Sequence, residues 1–480
     1  MKREVPEMKR PSAIAAALSL LIGAGTVSAG CSAPEKAMHA DGTIRLDPAA
    51  AGQTIAGFGA SGCWWAKDVG GWESDKTDRI TEWLFDQKKG IGLNIYRFEV
   101  GGGEVNNSPD AWRRAETFET APGQYDWNRD ANSVAMLKKA VAAGVDNVMF
   151  FANTPPGRLT VSGKTTGADD GASNLKQGAD AEFAKYLVDI ALHFKDEGIP
   201  VKYISPVNEP QWNWKESNGQ EGCHYTPEQV VALAEALAGE LAARAPDMKP
   251  SLIDSGKWLD KAYTVDLYKR LAENAVVGPQ MDHYAVHSYW TDSTARRSSR
   301  LLLEQTGVKL PLWQTEWCQM ESGRDLGMDA ALVLAECVHE DMTVTQCSAW
   351  IAWLAVSCYD YKDGLVYVDL ASREVMDSRR MWALGNYSRF VREGYRRIGA
   401  ACDSEDLLAS AYMSPDGNTQ VLVCVNSGDK THTMNIVADG LGRCEAYETS
   451  QARALEKVSS GSTGAYSFPA GSVTTLVLTK

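Results

Sequence analysis

"TIAGFGASGCWWAKD", residues Thr54–Asp68, decides between two α/β architectures. Its Gly57, Gly59 and Gly62 stand in the spacing G-x-G-x-x-G. In a dinucleotide-binding fold that spacing joins a strand to the N-terminus of a helix, and an acidic residue follows about 20 positions on. "QTIAGFG" reads as a short strand, but no helix opens after it. Cys63, Trp64, Trp65 and then "AKDVGGW" put bulky rings and paired glycines where an apolar periodic segment is required. Two indoles would also obstruct the close backbone approach that such glycines permit. The stretch is therefore read as the first strand and loop of a different α/β fold.

Working outward, the extended runs are "TIAGFGA", "LNIYRF", "NVMFFAN", "VKYISPVN", "PSLIDS", "HYAVHSY", "PLWQTEW" and "SAWIAWL". Amphipathic stretches alternate with them, among them "TPEQVVALAEALAGELAAR". There Thr226 is an N-cap, Pro227 occupies the first helical position and Glu228 the first turn. Eight strand–helix units over residues 57–393 predict a (β/α)8 TIM barrel; a doubly wound sheet with insertions is the alternative. Beyond Gly394 the pattern changes to short alternating strands separated by turns such as "SPDGN". This predicts an appended C-terminal β-sandwich domain over 394–480, joined by an N-terminal strand within 41–56 around "TIRLDP".

The N-terminal residues 1–31 read as a signal peptide. Lys9 and Arg10 precede an apolar run that ends in small residues before Cys31. Two outcomes are open: lipidation at Cys31 as a bacterial lipoprotein, or plain secretion with cleavage after Ala29. Either makes the mature protein extracytoplasmic, secreted or lipid-anchored at the cell surface or in the periplasm, with residues 32–40 as linker. The net charge of -14 and pI near 5.1 argue against nucleic acid and anionic membrane surfaces as partners. Membrane contact is expected only through the lipid, and the protein is expected to be a monomer. Fifteen tryptophans and seventeen tyrosines supply flat faces suited to sugar rings, although a large aromatic core absorbs most of them. The cysteines show neither zinc spacing nor a disulfide framework; Cys402, Cys424 and Cys444 leave room for one bridge.

In a barrel, residues at the C-terminal ends of the strands face the active-site mouth. The fourth strand ends in "SPVNEPQW" with Asn208 and Glu209, the seventh in "WQTEW" with Glu316. Strands four and seven lie across the ring from each other. Two carboxylates so placed suit glycosidic cleavage, which needs one acid to protonate the departing oxygen and one ionised carboxylate to trap an oxocarbenium-like centre.

"YISPVNEPQW" and "LWQTEW" resemble the acid/base and nucleophile strands of glycoside hydrolase family 30. "GFGASGCWW", "GIGLNIYRFEVGGG", "FFANTPP", "AVHSYW" and "WALGNYSRFVREGYRRI" are similar to the same family in order, and "SPDGNTQVLVCVN" and "PAGSVTTLVLTK" to its sandwich. Within the family, "RFEVGGG", "ETFETAPGQYDW" and "QEGC" most resemble the endo-β-1,6-galactanase branch. The resemblance implies a retaining hydrolase of polysaccharide or oligosaccharide, with Glu209 as acid/base and Glu316 as nucleophile. It needs no metal or organic cofactor. It further implies that Asn208 binds the sugar 2-hydroxyl, that Arg97 pairs with Glu316, and that Tyr289 donates to the same carboxylate. Asn153, His287 and Trp353 are expected to line the subsite of the cleaved sugar, His287 either directly or from behind. Trp64 and Trp65 are expected to contact sugar or to pack between the domains, and Trp212 with Trp214 to form an outer platform. Glu99, Glu104 and Glu321 read as loop or specificity residues. The implied substrate is β-1,6-galactan of arabinogalactan. The alternatives are β-1,6-glucan, xylan or a terminal glycoside with the same machinery, and a non-catalytic carbohydrate-binding barrel.

Overall fold

The computed structural model describes residues 40–103, 108 and 110–480. The expected leader with Cys31, the linker up to residue 39, and Glu104 lie outside the described residues. Eight parallel strands form the barrel: β1 Gly57–Ser61, β2 Ile95–Glu99, β3 Asn147–Phe151, β4 Val201–Ser205, β5 Ile253–Ser255, β6 Tyr284–Val286, β7 Leu312–Gln314 and β8 Cys347–Ser357. β1 pairs with both β2 and β8, and the remaining strands follow in order on either side. At the β4–β5 seam the short segment Lys249–Pro250 pairs with Tyr203 and Ile204. Ser251 N–H then donates to the Ile204 carbonyl at 2.9 Å, two residues before β5 begins.

Period-two alternation sorts the barrel side chains into layers. Ile95, Met149, Tyr203, Trp313, Ala349 and Ile351 form an apolar plug. Their neighbours Tyr96, Phe150, Ile204 and Trp350 belong to the larger core shared with the helices. Two residues beyond the plug the chain turns polar: Arg97 after Ile95, Ser205 after Tyr203, Thr315 after Trp313. Asp254 on β5 joins them, and all four are fully buried. This polar layer is the floor of the site.

The helix Pro227–Arg244, behind β4, shows how the sequence starts such a segment. Thr226 Oγ1 accepts from Gln229 N–H, and the Gln229 side chain accepts from Thr226 N–H at 2.8 Å. The second region is a nine-stranded sheet folded over its own core of Ile44, Leu46, Ile398, Leu422, Cys424, Leu476 and Leu478. Strand Gly42–Asp47 lies inside it, between Arg396–Cys402 and His432–Val437. Alternate residues Val421, Val423, Val425 and Val473 face the other way, into the barrel's outer core. Thr475 Oγ1 donates to the Asn386 carbonyl at 2.6 Å across that seam. All nine described cysteines are free thiols, so Cys402, Cys424 and Cys444 form no bridge. No helix among the described residues is long and apolar enough to cross a membrane.

Candidate active site

Glu209 stands four residues past β4 and Glu316 two past β7, both at the mouth and both nearly buried. Glu209 has φ +45°, in the left-handed region. That conformation costs a non-glycine residue about 1–2 kcal/mol, so its surroundings must hold it. Its N–H donates to the Asp254 carbonyl at 2.9 Å, and its own carbonyl accepts from Trp212 N–H at 3.2 Å and Trp214 Nε1 at 3.1 Å. One carboxylate oxygen of each glutamate and a ring nitrogen of His287 all lie within 4.8 Å of one another. Retaining glycosidases hold their carboxyls about 5–5.5 Å apart, inverting ones about 6.5–9.5 Å. The spacing here is of the retaining kind.

Arg97 organises the floor. Its Nη1 donates to Glu316 Oε2 at 2.6 Å, and its Nη2 to Asn208 Oδ1 at 2.8 Å and Asp254 Oδ2 at 3.1 Å. The guanidinium carbon lies 3.7 Å from the centroid of the Phe151 ring. Asp254 also accepts from Ser205 Oγ and Thr315 Oγ1, both at 2.6 Å. Burial disfavours the Asp254 carboxylate, but Arg97, His287 and the two hydroxyls more than offset this, and its pKa falls below the usual 3.8. Glu316 Oε1 accepts from Tyr289 OH at 3.0 Å.

Among the described residues no arginine or lysine pairs with Glu209. Its Oε1 lies 3.1 Å from His287 Nδ1, which is 3.6 Å from Glu316 Oε1. Burial raises the Glu209 pKa above the ordinary 4.5, and the nearby Glu316 charge adds to the rise against the pull of His287. For His287, burial opposes the charged form, but Glu316, Glu209 and Asp254 outweigh it and raise its pKa. One carboxyl is therefore biased toward its protonated form while the other is in contact with a permanent cation.

Above this floor opens a cleft of ≈ 700 Å³. Asn208, Glu209, Trp212, Tyr289, Glu316, Trp353 and Trp64 all line it, as does Trp214. Two expected substrate contacts, Trp65 and Asn153, are corrected. Trp65 is wholly buried, its Nε1 donating to the Ser61 carbonyl at 2.9 Å, whereas its neighbour Trp64 lines the cleft. Asn153 is also buried and donates to Glu99 Oε1 at 2.6 Å, below the cleft. Arg97 is fully buried and pairs with Glu316 as expected, and His287, also fully buried, takes the second of its two expected places, behind the cleft against Glu209. Trp64 meets Trp353 edge to face at 5.1 Å. Glu99 is enclosed with Cys63 Sγ at 2.8 Å, and Glu321 is exposed and paired with Lys362.

Several wall residues carry no sequence signal that singled them out. Arg113 lies 4.7 Å over the Trp64 ring and donates to Tyr359 OH at 3.1 Å. Tyr359, Asp360 and Asp363 follow β8, and Trp290 follows β6. Asp254 did leave a sign: a lone acid between Ile253 and Ser255 at the end of an apolar strand.

The profile described as O-glycosyl hydrolase family 30 matches residues 41–367, and that of the glycosyl hydrolase family 30 beta sandwich domain matches 394–476. The chain belongs to glycoside hydrolase family 30. It is a glycoside hydrolase. It is 25% identical over 387 residues to an endo-beta-1,6-galactanase of Hypocrea rufa, covering 74% of this chain and 76% of that protein. It is equally 25% identical over 437 residues to glucuronoxylanase XynC of Bacillus subtilis strain 168, covering 88% and 84%. A conserved exported protein from Bacteroides fragilis superposes with a TM-score of 0.83 at 26% identity, over 91% of this chain and all of that one. At equal identity, the Hypocrea rufa and Bacillus subtilis relatives are thus named for different activities, a galactanase and a glucuronoxylanase.

Proposed function

We propose that the protein is an endo-β-1,6-galactanase that cleaves galactan side chains of arabinogalactan with retention, using Glu316 as nucleophile and Glu209 as acid/base. The observation that supports the chemistry is the pair of carboxylates within 4.8 Å, one held by Arg97 and the other buried beside His287. In the first step a Glu316 oxygen attacks the anomeric carbon while Glu209 gives its proton to the departing oxygen. In the second, Glu209 takes a proton from water, and the water oxygen displaces Glu316. Asn208, turned by Arg97, borders the sugar at its 2-hydroxyl, where a hydrogen bond strengthens as positive charge develops on the neighbouring carbon.

The choice of sugar rests on the match to the Hypocrea rufa galactanase together with the motifs "RFEVGGG" and "QEGC". Against it stands the equal identity to a glucuronoxylanase. The cleft wall favours a neutral chain, because Asp360 and Asp363 join the two glutamates there, with Arg113 the cation among the lining residues. The leader expected over residues 1–31 is consistent with a polymer substrate met outside the cytoplasm.

The test is kinetic. Glu316→Gln abolishes hydrolysis. Glu209→Ala keeps slow turnover of aryl glycosides with good leaving groups, and azide accelerates it with formation of a β-glycosyl azide. Rates on arabinogalactan, β-1,6-glucan and glucuronoxylan rank the substrates, and preference for either of the latter two overturns the galactan assignment.

A further inference from the structure

We propose that Trp290, standing against Trp212, forms the platform for the sugar on the leaving-group side of the scissile bond. The enzyme is thereby built for substrates whose leaving group is itself a sugar residue. The proposal rests on Glu209 as the acid/base, because the group that protonates the departing oxygen must stand beside the departing sugar. Rings next to Glu209 therefore border that sugar.

Three observations place the pair there. Trp212 follows Glu209 by three residues, and Gly256 shows how closely they approach. A Cβ on Gly256 would lie 2.9 Å from both Glu209 Oε1 and Trp212 Nε1, and 2.7 Å from Gln211 Nε2. The Trp212 ring thus begins beside the acid/base carboxyl. Trp290 extends it, edge to face at 5.1 Å and 78°, and leans on Tyr289 at 5.5 Å. Trp64 and Trp353 stand instead on the β1 and β8 side.

Trp290 is also at odds with stability. Its side chain is 60% exposed, so the fold gains little from burying the indole, and its φ of +47° lies in a region bulky residues avoid. A large aromatic kept both exposed and strained at a cleft wall points to a ligand. The apolar C–H face of a pyranose supplies the missing contact. Binding energy gained from a sugar that does not itself react can be used to position the bond that does.

The test compares two leaving groups on the same glycone, whichever sugar the wild type releases. A β-linked oligosaccharide places a sugar on the platform; the corresponding β-glycosyl fluoride leaves as a small ion that does not reach it. For Trp290→Ala, the ratio of kcat/KM on the oligosaccharide to that on the fluoride is expected to fall about tenfold, equivalent to about 1.4 kcal/mol. Trp290→Phe is expected to recover most of it. An equal loss on both substrates, or none on the oligosaccharide, overturns the platform. Azide rescue of Glu209→Ala tests the acid/base assignment separately, so the two readings fail independently.

Discussion

Asp254→Asn tests the electrostatic floor most directly. In the native site this buried carboxylate accepts from Arg97 at 3.1 Å and from Ser205 and Thr315 at 2.6 Å each. An amide keeps the shape but turns its NH2 toward groups that are themselves donors, and it removes the charge opposite Arg97. Breaking a buried pair typically costs about 3–5 kcal/mol. Arg97 keeps Glu316 and Asn208, so the lower end, about 3 kcal/mol, is expected here, a fall in Tm of roughly 3 °C in a chain of this size. The sign with pH is fixed. The folded pKa of Asp254 lies below 3.8, so its contribution is fully present above the unfolded value and is lost as pH falls through the folded one. Calorimetry of wild type and variant should give a constant Tm gap between pH 5 and 7 that narrows below pH 4, first as the unfolded aspartate protonates and then, through its lower folded pKa, as the native one does and comes to resemble the amide. A gap that persists unchanged at low pH, or no gap at neutral pH, would refute the claim that charge rather than shape holds this layer.

Other outcomes follow from the same geometry. Because burial raises the Glu209 pKa above 4.5, its acid form persists above ordinary glutamate pH, and kcat/KM should fall as pH rises through that value. Glu209→Ala should remove this basic limb on activated substrates. Trp64→Ala should chiefly raise KM, since Trp64 lines the cleft, whereas Trp65→Ala should cost about 3–5 kcal/mol of stability, read as a lowered unfolding midpoint. Gly256→Ala should lower kcat with little change in Tm, because its methyl would press on Glu209, Gln211 and Trp212 rather than on the core. Arg97→Lys should lower kcat by at least tenfold, since a point charge cannot reach Glu316, Asn208 and Asp254 at once.

The barrel and its two glutamates were legible because both rest on local pattern. Strand runs of five or so apolar residues alternate with capped helices, and a carboxylate at a strand end has one direction to point. The same logic failed at Trp64–Trp65, since which of two adjacent rings faces the cleft is set by the turn after β1 and not by residue type. The strand pattern places Asn153 at the right strand end but at the wrong depth, and for His287 it leaves the depth open. Whether an inward side chain meets sugar or another side chain depends on how high its neighbours reach, here Glu99 and Glu209. Arg113 and Tyr359 were out of reach for another reason: they meet across 246 residues of chain, and the composition of either loop does not signal that meeting.

The charge arrangement supports the different roles proposed for the two glutamates of this small site. Glu209, Glu316 and Asp254 crowd together with one guanidinium among them, and Arg97 is already committed to two of the three, Glu316 and Asp254. Glu209, the one left out, lies instead beside His287, a group that can itself give up its proton, and burial raises its pKa despite the pull of His287 and the more distant Arg97. The division is thus made by geometry around β2: a side chain two residues along from Ile95 reaches β5 and β7 but forms no contact with the Glu209 carboxyl after β4. Asp254 matters because it draws the guanidinium's second arm away from Glu209. Were that arm to swing toward Glu209, the acid would be held ionised, and the first step would lack its proton.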